Sequence, residues 1–172
     1  MFDIQNTDYM LGEAGNGQLV GWEGDDYLHG GAGADILFGS FGEDTIIGGK
    51  GLDIASYNFT DGEQGVVVNL AKGFAIDGWG YRDEVSQVEG LVGSLFDDKL
   101  IGNKKDNTFY GLAGDDTIKG GAGYDLVDYT GDEGNGGYDG VTVNLAKGFA
   151  IDGFGDRDEL TSIEDVFGTI YN

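Results

Sequence analysis

The sequence predicts an all-β fold made of stacked turns of chain, on three observations. Asp26, Asp35, Asp44 and Asp53 stand nine residues apart, and each closes a glycine-rich hexad. Position eight of each nine-residue copy is apolar: Leu28, Leu37, Ile46 and Ala55. Thirty-five glycines and no proline suit many tight turns at positive φ, which glycine adopts without a Cβ penalty. A strict period too short for any helix–loop unit marks a solenoid whose copies stack on one another.

The elements follow in chain order. Residues 1–57 form a first block of nonapeptides, read from Gly21 as GWEGDDYLH, GGAGADILF, GSFGEDTII and GGKGLDIAS with no residue gained or lost. Its phase extends backward through Leu19 and Met10 at position eight, with Gly17 in the aspartate place. Residues 58–92 are a spacer, residues 93–129 a second block, and residues 130–172 a second spacer. The second block holds GSLFDDKLI, GNKKDNTFY, GLAGDDTIK and GGAGYDLVD, placing Asp98, Asn107, Asp116 and Asp125 at position six. NLAKGFAIDG occurs at Asn69–Gly78 and again at Asn144–Gly153, so a long repeat overlies the short one. The second copy carries three extra residues near Asp132–Tyr138. Gly168 to Asn172 aligns with Gly93 to Asp97, so the chain is expected to be cut from a longer array just before its next aspartate.

Each spacer reads as β structure. Val66, Val68 and Leu70 alternate, Ala71-Lys72-Gly73 suits a turn, and Phe74 and Ile76 follow it. The segments DGWGYRDEV and DGFGDRDEL look like stretched versions of the same Gly/Asp turn. The apolar series Val85, Val88, Leu91 and Leu160, Ile163, Val166 fits a strand better than a helical turn.

Charge and composition narrow the chemistry. A formal net charge of −23 excludes nucleic acid and anionic membrane as partners, since phosphates need Lys and Arg. It also opposes compaction by self-repulsion, which divalent cations relieve. Calcium takes six to eight oxygens at flexible geometry, and carboxylates with main-chain carbonyls supply them. Zinc prefers nitrogen and sulfur, and His29 is the single histidine beside no cysteine at all. Disulfides are therefore excluded, so a secreted location would need another stabiliser, for which metal is the candidate. No apolar run approaches the roughly 20 residues of a membrane helix, and the first ten residues lack the basic and apolar regions of a cleaved export signal.

The nonapeptides resemble the RTX, or haemolysin-type, calcium-binding family, G-G-x-G-x-D-x-U-x with U apolar. Gly30 to Phe38 and Gly120 to Asp128 match every defined position, and the copies from Gly39, Gly48 and Gly111 miss at most one glycine. The resemblance implies a parallel β-roll in two short blocks, each followed by a β spacer. Two nonapeptides make one coil, and repeats n and n+2 stack with several calcium ions between their loops. The implied ligands are Asp26, Asp35, Asp44, Asp53, Asp98, Asp116 and Asp125. Carbonyls of alternate loop residues assist them: Gly24, Gly31, Gly33, Gly42, Gly49, Gly51, Gly114, Gly121 and Gly123. The loop pairs are Gly21 with Gly39, Gly30 with Gly48, Gly93 with Gly111, and Gly102 with Gly120, the last weakened by Asn107.

The resemblance further implies a module of a larger secreted or cell-surface protein that leaves by type I export, folds on calcium, and supports flanking domains. The alternative is a calcium-dependent carbohydrate-binding or adhesion module, like the repeat modules of alginate epimerases, with polysaccharide as partner. No catalytic residue is expected: Gly39-Ser40-Phe41-Gly42 is not a G-x-S-x-G nucleophile turn, and His29 has no nucleophile motif beside it. Two points stay open. Asp77, Asp83, Asp152 and Asp158 either bind calcium or pair with Arg82 and Arg157 across a turn. Trp22, Phe38, Phe41, Trp79 and Phe154 either stack on sugars or cover gaps between coils.

Overall fold

The computed structural model describes residues 7–58 and 62–171. Asn172, expected at the truncated register, lies outside them. The first block gives β1 (Tyr9–Leu11), β2 (Gln18–Glu23), β3 (Tyr27–Ala32), β4 (Ile36–Phe41), β5 (Thr45–Lys50) and β6 (Ile54–Ser56). The first spacer adds β7 (Val67–Asn69), β8 (Phe74–Ile76), β9 (Arg82–Ser86) and β10 (Gly90–Val92). The second block supplies β11 (Lys99–Ile101), β12 (Thr108–Tyr110), β13 (Thr117–Lys119) and β14 (Leu126–Asp128). The three extra residues of the second spacer fall at a short helix, α1 (Asp132–Asn135). After it come β15 (Thr142–Asn144), β16 (Phe149–Ile151), β17 (Arg157–Thr161) and β18 (Asp165–Phe167).

These strands form two sheets facing each other across one thin core, the parallel β-roll that the repeat predicts. The first runs β1-β3-β5-β9-β8-β7-β11-β13-β17-β16-β15, and the second β18-β14-β12-β10-β6-β4-β2. Within each block the register is 18 residues: Leu28 opposes Ile46, Leu19 opposes Leu37, and Leu100 opposes Ile118. Each strand sends its position-eight side chain inward. Leu28, Leu37, Ile46, Ala55, Leu91, Leu100, Phe109, Ile118 and Val127 are all fully buried.

The two blocks share both sheets. In the second sheet β6 pairs with β10 and β10 with β12, all parallel, so the stack runs on without a break. In the first sheet, β8 and β7 enter as an antiparallel hairpin between β9 and β11. The second spacer repeats the device with β16 and β15 against β17. Val85, Val88 and Leu91 are all buried; Val85 lies in β9 and Leu91 in β10, as the strand reading predicts, while Val88 falls in the loop between them. In the hairpin the inward residue is Ala75, while Phe74 and Ile76 lie half-exposed on the outer face. A small side chain fits there because β8 and its antiparallel neighbours share a core only one residue deep.

Candidate metal centre

Six-residue loops join the strands and stack along both edges of the roll. On one edge lie the loops ending at Asp26 and Asp44, and later those ending at Asp98 and Asp116. On the other lie those ending at Asp35, Asp53, Asn107 and Asp125. Every one of these side chains is buried.

Each aspartate divides its two oxygens between different tasks. The N–H of Asp26 donates to Oδ1 of Asp44 at 2.9 Å, and that of Asp35 to Oδ1 of Asp53 at 2.9 Å. Asp98 N–H reaches Asp116 Oδ1 at 2.9 Å, and Asn107 N–H reaches Asp125 Oδ1 at 2.9 Å. One carboxylate oxygen thus ties each loop to the loop before it. Oδ2 of Asp26, Asp35, Asp44, Asp53, Asp116 and Asp125 is buried with no hydrogen-bond partner. A buried carboxylate oxygen left unsatisfied is costly, and a hard cation would satisfy these oxygens.

The glycines give these oxygens their space. A Cβ at Gly21, Gly39, Gly93 or Gly111 would collide with Oδ2 of Asp26, Asp44, Asp98 or Asp116, respectively. The first-position carbonyl of the next coil crowds the same place, Gly39 O against Gly21 and Gly48 O against Gly30. A carboxylate oxygen and a carbonyl oxygen therefore converge at the first glycine. The Gly24, Gly31 and Gly33 carbonyls project toward Gly42, Gly49 and Gly51 of the following loop. Those three glycines, with Gly114, Gly121 and Gly123, have φ between 112° and 138°, a conformation open to glycine. Trp22, Ser40 and Leu112 adopt φ of 72°, 78° and 72° at position two without being glycine.

Not all predicted positions are equal. Asp98 accepts from Val66 N–H and Ser94 Oγ on Oδ1 (both 2.7 Å) and from Ser94 N–H on Oδ2 (2.6 Å), so both its oxygens have protein partners. Asn107 accepts from Asn103 N–H at 2.8 Å and donates from Nδ2 to the Glu89 carbonyl at 3.2 Å. It keeps the loop's shape without its charge.

Three groups of functional side chains escape the nonapeptide pattern. Asp83 Oδ1 accepts the Asp44 N–H at 3.0 Å, and Asp158 Oδ1 the Asp116 N–H at 3.1 Å, so the spacers continue the ladder. Glu89 and Glu164 do the same on the other edge, accepting from the N–H groups of Asp53 (3.3 Å) and Asp125 (2.9 Å). Here the loop before the strand is shorter, and the longer glutamate restores the reach. Gln87 and Ser162 carbonyls crowd Gly48 and Gly120 as first-position carbonyls do. A second, outer ladder runs the other way: Glu43 N–H donates to Asp25 Oδ1 (3.0 Å), Asp115 N–H to Asp97 Oδ1 (2.9 Å), and Tyr124 N–H to Asp106 Oδ1 (2.8 Å). The Asp-Asp and Asp-Asn dipeptides were its sequence signal.

Burial dominates the electrostatics. Desolvation raises the Asp44 carboxyl to about 7 and Asp83 to about 8, with neighbouring carboxylates adding to the rise. Asp116 is pushed up to about 10 and Asp158 to about 7 by the same causes. Arg82 lies over the Phe74 ring at 5.1 Å and Arg157 over Phe149 at 5.1 Å, so each arginine covers a ring. Among the described residues no three His, Cys, Asp or Glu side chains gather into a metal cage by themselves. Main-chain carbonyls are needed to complete the shell, which is calcium chemistry.

Buried carboxylates facing carbonyls between stacked glycine loops define a cation-binding β-roll. The sequence comparison identifies its kind: residues 20–55 and 92–127 match the family model of the RTX calcium-binding nonapeptide repeat, and the chain carries four copies of it. No curated protein matches the chain.

Proposed function

We propose that this calcium-binding roll is a folding module: it orders on calcium after export and then stabilises or spaces a larger secreted protein, itself without catalytic activity. The carrying observation is the row of buried, unpartnered Oδ2 atoms at Asp26, Asp44, Asp53 and Asp125. Without cations each is a desolvated charge or a bound proton. With calcium each becomes a ligand, and metal binding is coupled to folding. Inward side chains alone are a poor counterweight. Burying one Leu or Ile contributes ~1.5–3 kcal/mol, against ~1–2 kcal/mol of backbone entropy for each ordered residue.

Extracellular calcium modules bind at about 10⁻⁴–10⁻³ M, so such a chain stays open in the cytosol and closes outside. Type I export fits this order of events. None of the described helices is long and apolar enough to cross a membrane. Circular dichroism in EGTA and then in about 10 mM calcium, well above that affinity range, tests the reading. The β signal is expected only with calcium, and an unchanged spectrum overturns it.

A second reading, calcium-dependent glycan binding, draws on a groove of about 470 Å³ on the outer face of the second sheet. Leu52, Ile54, Tyr110, Tyr124, Leu126 and Phe167 line it together with acidic side chains. Rings beside carboxylates suit a sugar. A glycan array with and without calcium separates the two: micromolar binding supports this reading, and silence leaves the folding module.

A further inference from the structure

The family match ends at residue 55 in the first block and at residue 127 in the second. The loop stack does not end there. On one edge, the hairpin tip joining β8 to β9, residues 77–81, takes the place of the next loop above Gly39–Asp44. Phe41 packs edge-on against Trp79 at 5.6 Å and against Tyr81 at 4.7 Å. The tip of the second hairpin, residues 152–156, sits likewise on Gly111–Asp116. Gly114 N–H donates to Asp156 Oδ2 at 3.0 Å, and Arg157 N–H to Asp115 Oδ1 at 2.7 Å.

The strand register sets three carboxylates along each junction; among the described residues they do not close a cage by themselves, so carbonyls must supply the rest of any shell. Asp83 follows Asp44 along the parallel stack, since Glu84 opposes Thr45. Ala75 opposes Asp83 across the hairpin, so inward-facing Asp77, two residues beyond Ala75, is the diagonal neighbour of Asp83. Asp44, Asp77 and Asp83 are 1 %, 1 % and 0 % exposed. Oδ2 of Asp44 and Asp77 is buried without a partner, and the buried Tyr57 hydroxyl faces the Asp83 carboxylate. The other oxygen of Asp77 is occupied, accepting from Trp79 N–H at 3.0 Å and Tyr81 N–H at 2.7 Å. The hairpin therefore fixes the Asp77 carboxylate and leaves one oxygen turned to the interior.

The second junction sets out Asp116, Asp152 and Asp158 in the same way, except that Asp158 Oδ2 has a partner. Asp152 accepts from Phe154 and Asp156 N–H groups at 2.9 and 2.8 Å, and its Oδ2 is again unpartnered. Asp132 of α1 adds a fourth carboxylate beside the tip: Oδ2 accepts Gly153 N–H at 3.0 Å, and Oδ1 is buried and unpartnered. The Tyr129 hydroxyl donates to Asp158 Oδ2 at 2.7 Å.

We propose that each spacer hairpin builds one further calcium site, outside the nonapeptides: one where Asp77 closes over Asp44 and Asp83, one where Asp152 closes over Asp116 and Asp158. Carbonyls and water complete each shell. This rests on the loops themselves binding calcium. The spacers then act as rungs of the cation stack, and Asp132 makes the second site the richer in charge.

The test is a count of bound calcium by titration calorimetry and equilibrium dialysis on the full chain. Asp77→Asn and Asp152→Asn keep the oxygen that organises each tip and remove one charge from each junction. Each single variant is expected to bind one ion fewer than the unmodified chain, and the double variant two fewer, with the calcium-induced β signal retained. The single variants carry the test if the double variant fails to fold. In a Trp22→Phe background, terbium emission sensitised through Trp79 is expected to fall on Asp77→Asn. Unchanged counts and emission overturn the proposal, and the junction carboxylates then hold protons. Asp26→Asn serves as the control for the loops: if it too leaves the count unchanged, the loop reading itself fails.

Discussion

Asp83 Oδ1 accepts the main-chain N–H of Asp44 at 3.0 Å across 39 residues of sequence, the task that an aspartate 18 residues on performs elsewhere in the roll. The hairpin tip lies within those 39 residues, so the ladder survives an insertion that breaks the sequence period. The bond also places a carboxyl of pKa about 8 beside one of about 7.

That pairing sets a pH dependence in the absence of calcium. Both carboxyls have folded values raised by desolvation above the ordinary 3.8. A raised folded value means the fold holds its protons more tightly than the open chain. Its contribution is full below about pH 4 and is lost as pH rises through 7 to 8. The calcium-free protein is expected to gain β signal on acidification from pH 8 to 4, read by circular dichroism in chelator. Calcium affinity should move the opposite way, rising with pH as binding displaces those protons.

Asp44→Asn separates charge from shape. An amide oxygen still accepts the Asp26 N–H, as the Asn107 side chain shows an amide can sit in such a loop. Calcium affinity should fall about tenfold, roughly 1.4 kcal/mol, while the β signal at saturating calcium is retained. Calorimetric titration beside circular dichroism in excess calcium checks both halves.

Gly111→Ala places a methyl group against Asp116 Oδ2. Overpacking of this kind costs ~1–3 kcal/mol, and here the group displaced is a ligand. A lower melting temperature in calcium together with weaker binding is the expected result.

Ser40→Gly goes the other way. Ser40 holds φ at 78° and buries an unpartnered Oγ. Relieving left-handed strain stabilises by ~1–2 kcal/mol, so the melting temperature of the calcium-loaded protein should rise.

Glu89→Asp shortens the side chain that reaches Asp53 N–H at 3.3 Å. The loss is about 0.5–1.5 kcal/mol for the hydrogen bond. The exposed Lys105 partner of Glu89, at 2.7 Å, adds at most ~1 kcal/mol. Glu89→Gln, which keeps the reach, should melt close to the unmodified protein.

The nine-residue phase carried most of the architecture: the inward row from Leu28 to Val127, the 18-residue register, and the ladder aspartates were all readable. The strands at Val85 and Leu91 were readable too, although Val88 between them lies in a loop. What escaped depended on pairing across the insertion. Asp83 and Asp158 enter the ladder only through a hairpin, and Glu89 and Glu164 only because a shorter loop needs a longer side chain. Phe74 and Ile76 were the apolar residues read after the turn, yet Ala75 between them takes the inward place in a core one side chain deep. Pairing of the spacer arginines with aspartates was one of two open alternatives, and each arginine lies over a ring.

The 18-residue coil has a mechanical meaning. One coil adds about 4.8 Å to the length of the stack, yet its chain stretches to roughly 60 Å. Under tension between two anchored neighbours, the roll is a spool with its slack wound in coils. Each coil is latched to the next by carboxylate bonds on both edges, and calcium between the loops would tighten those latches.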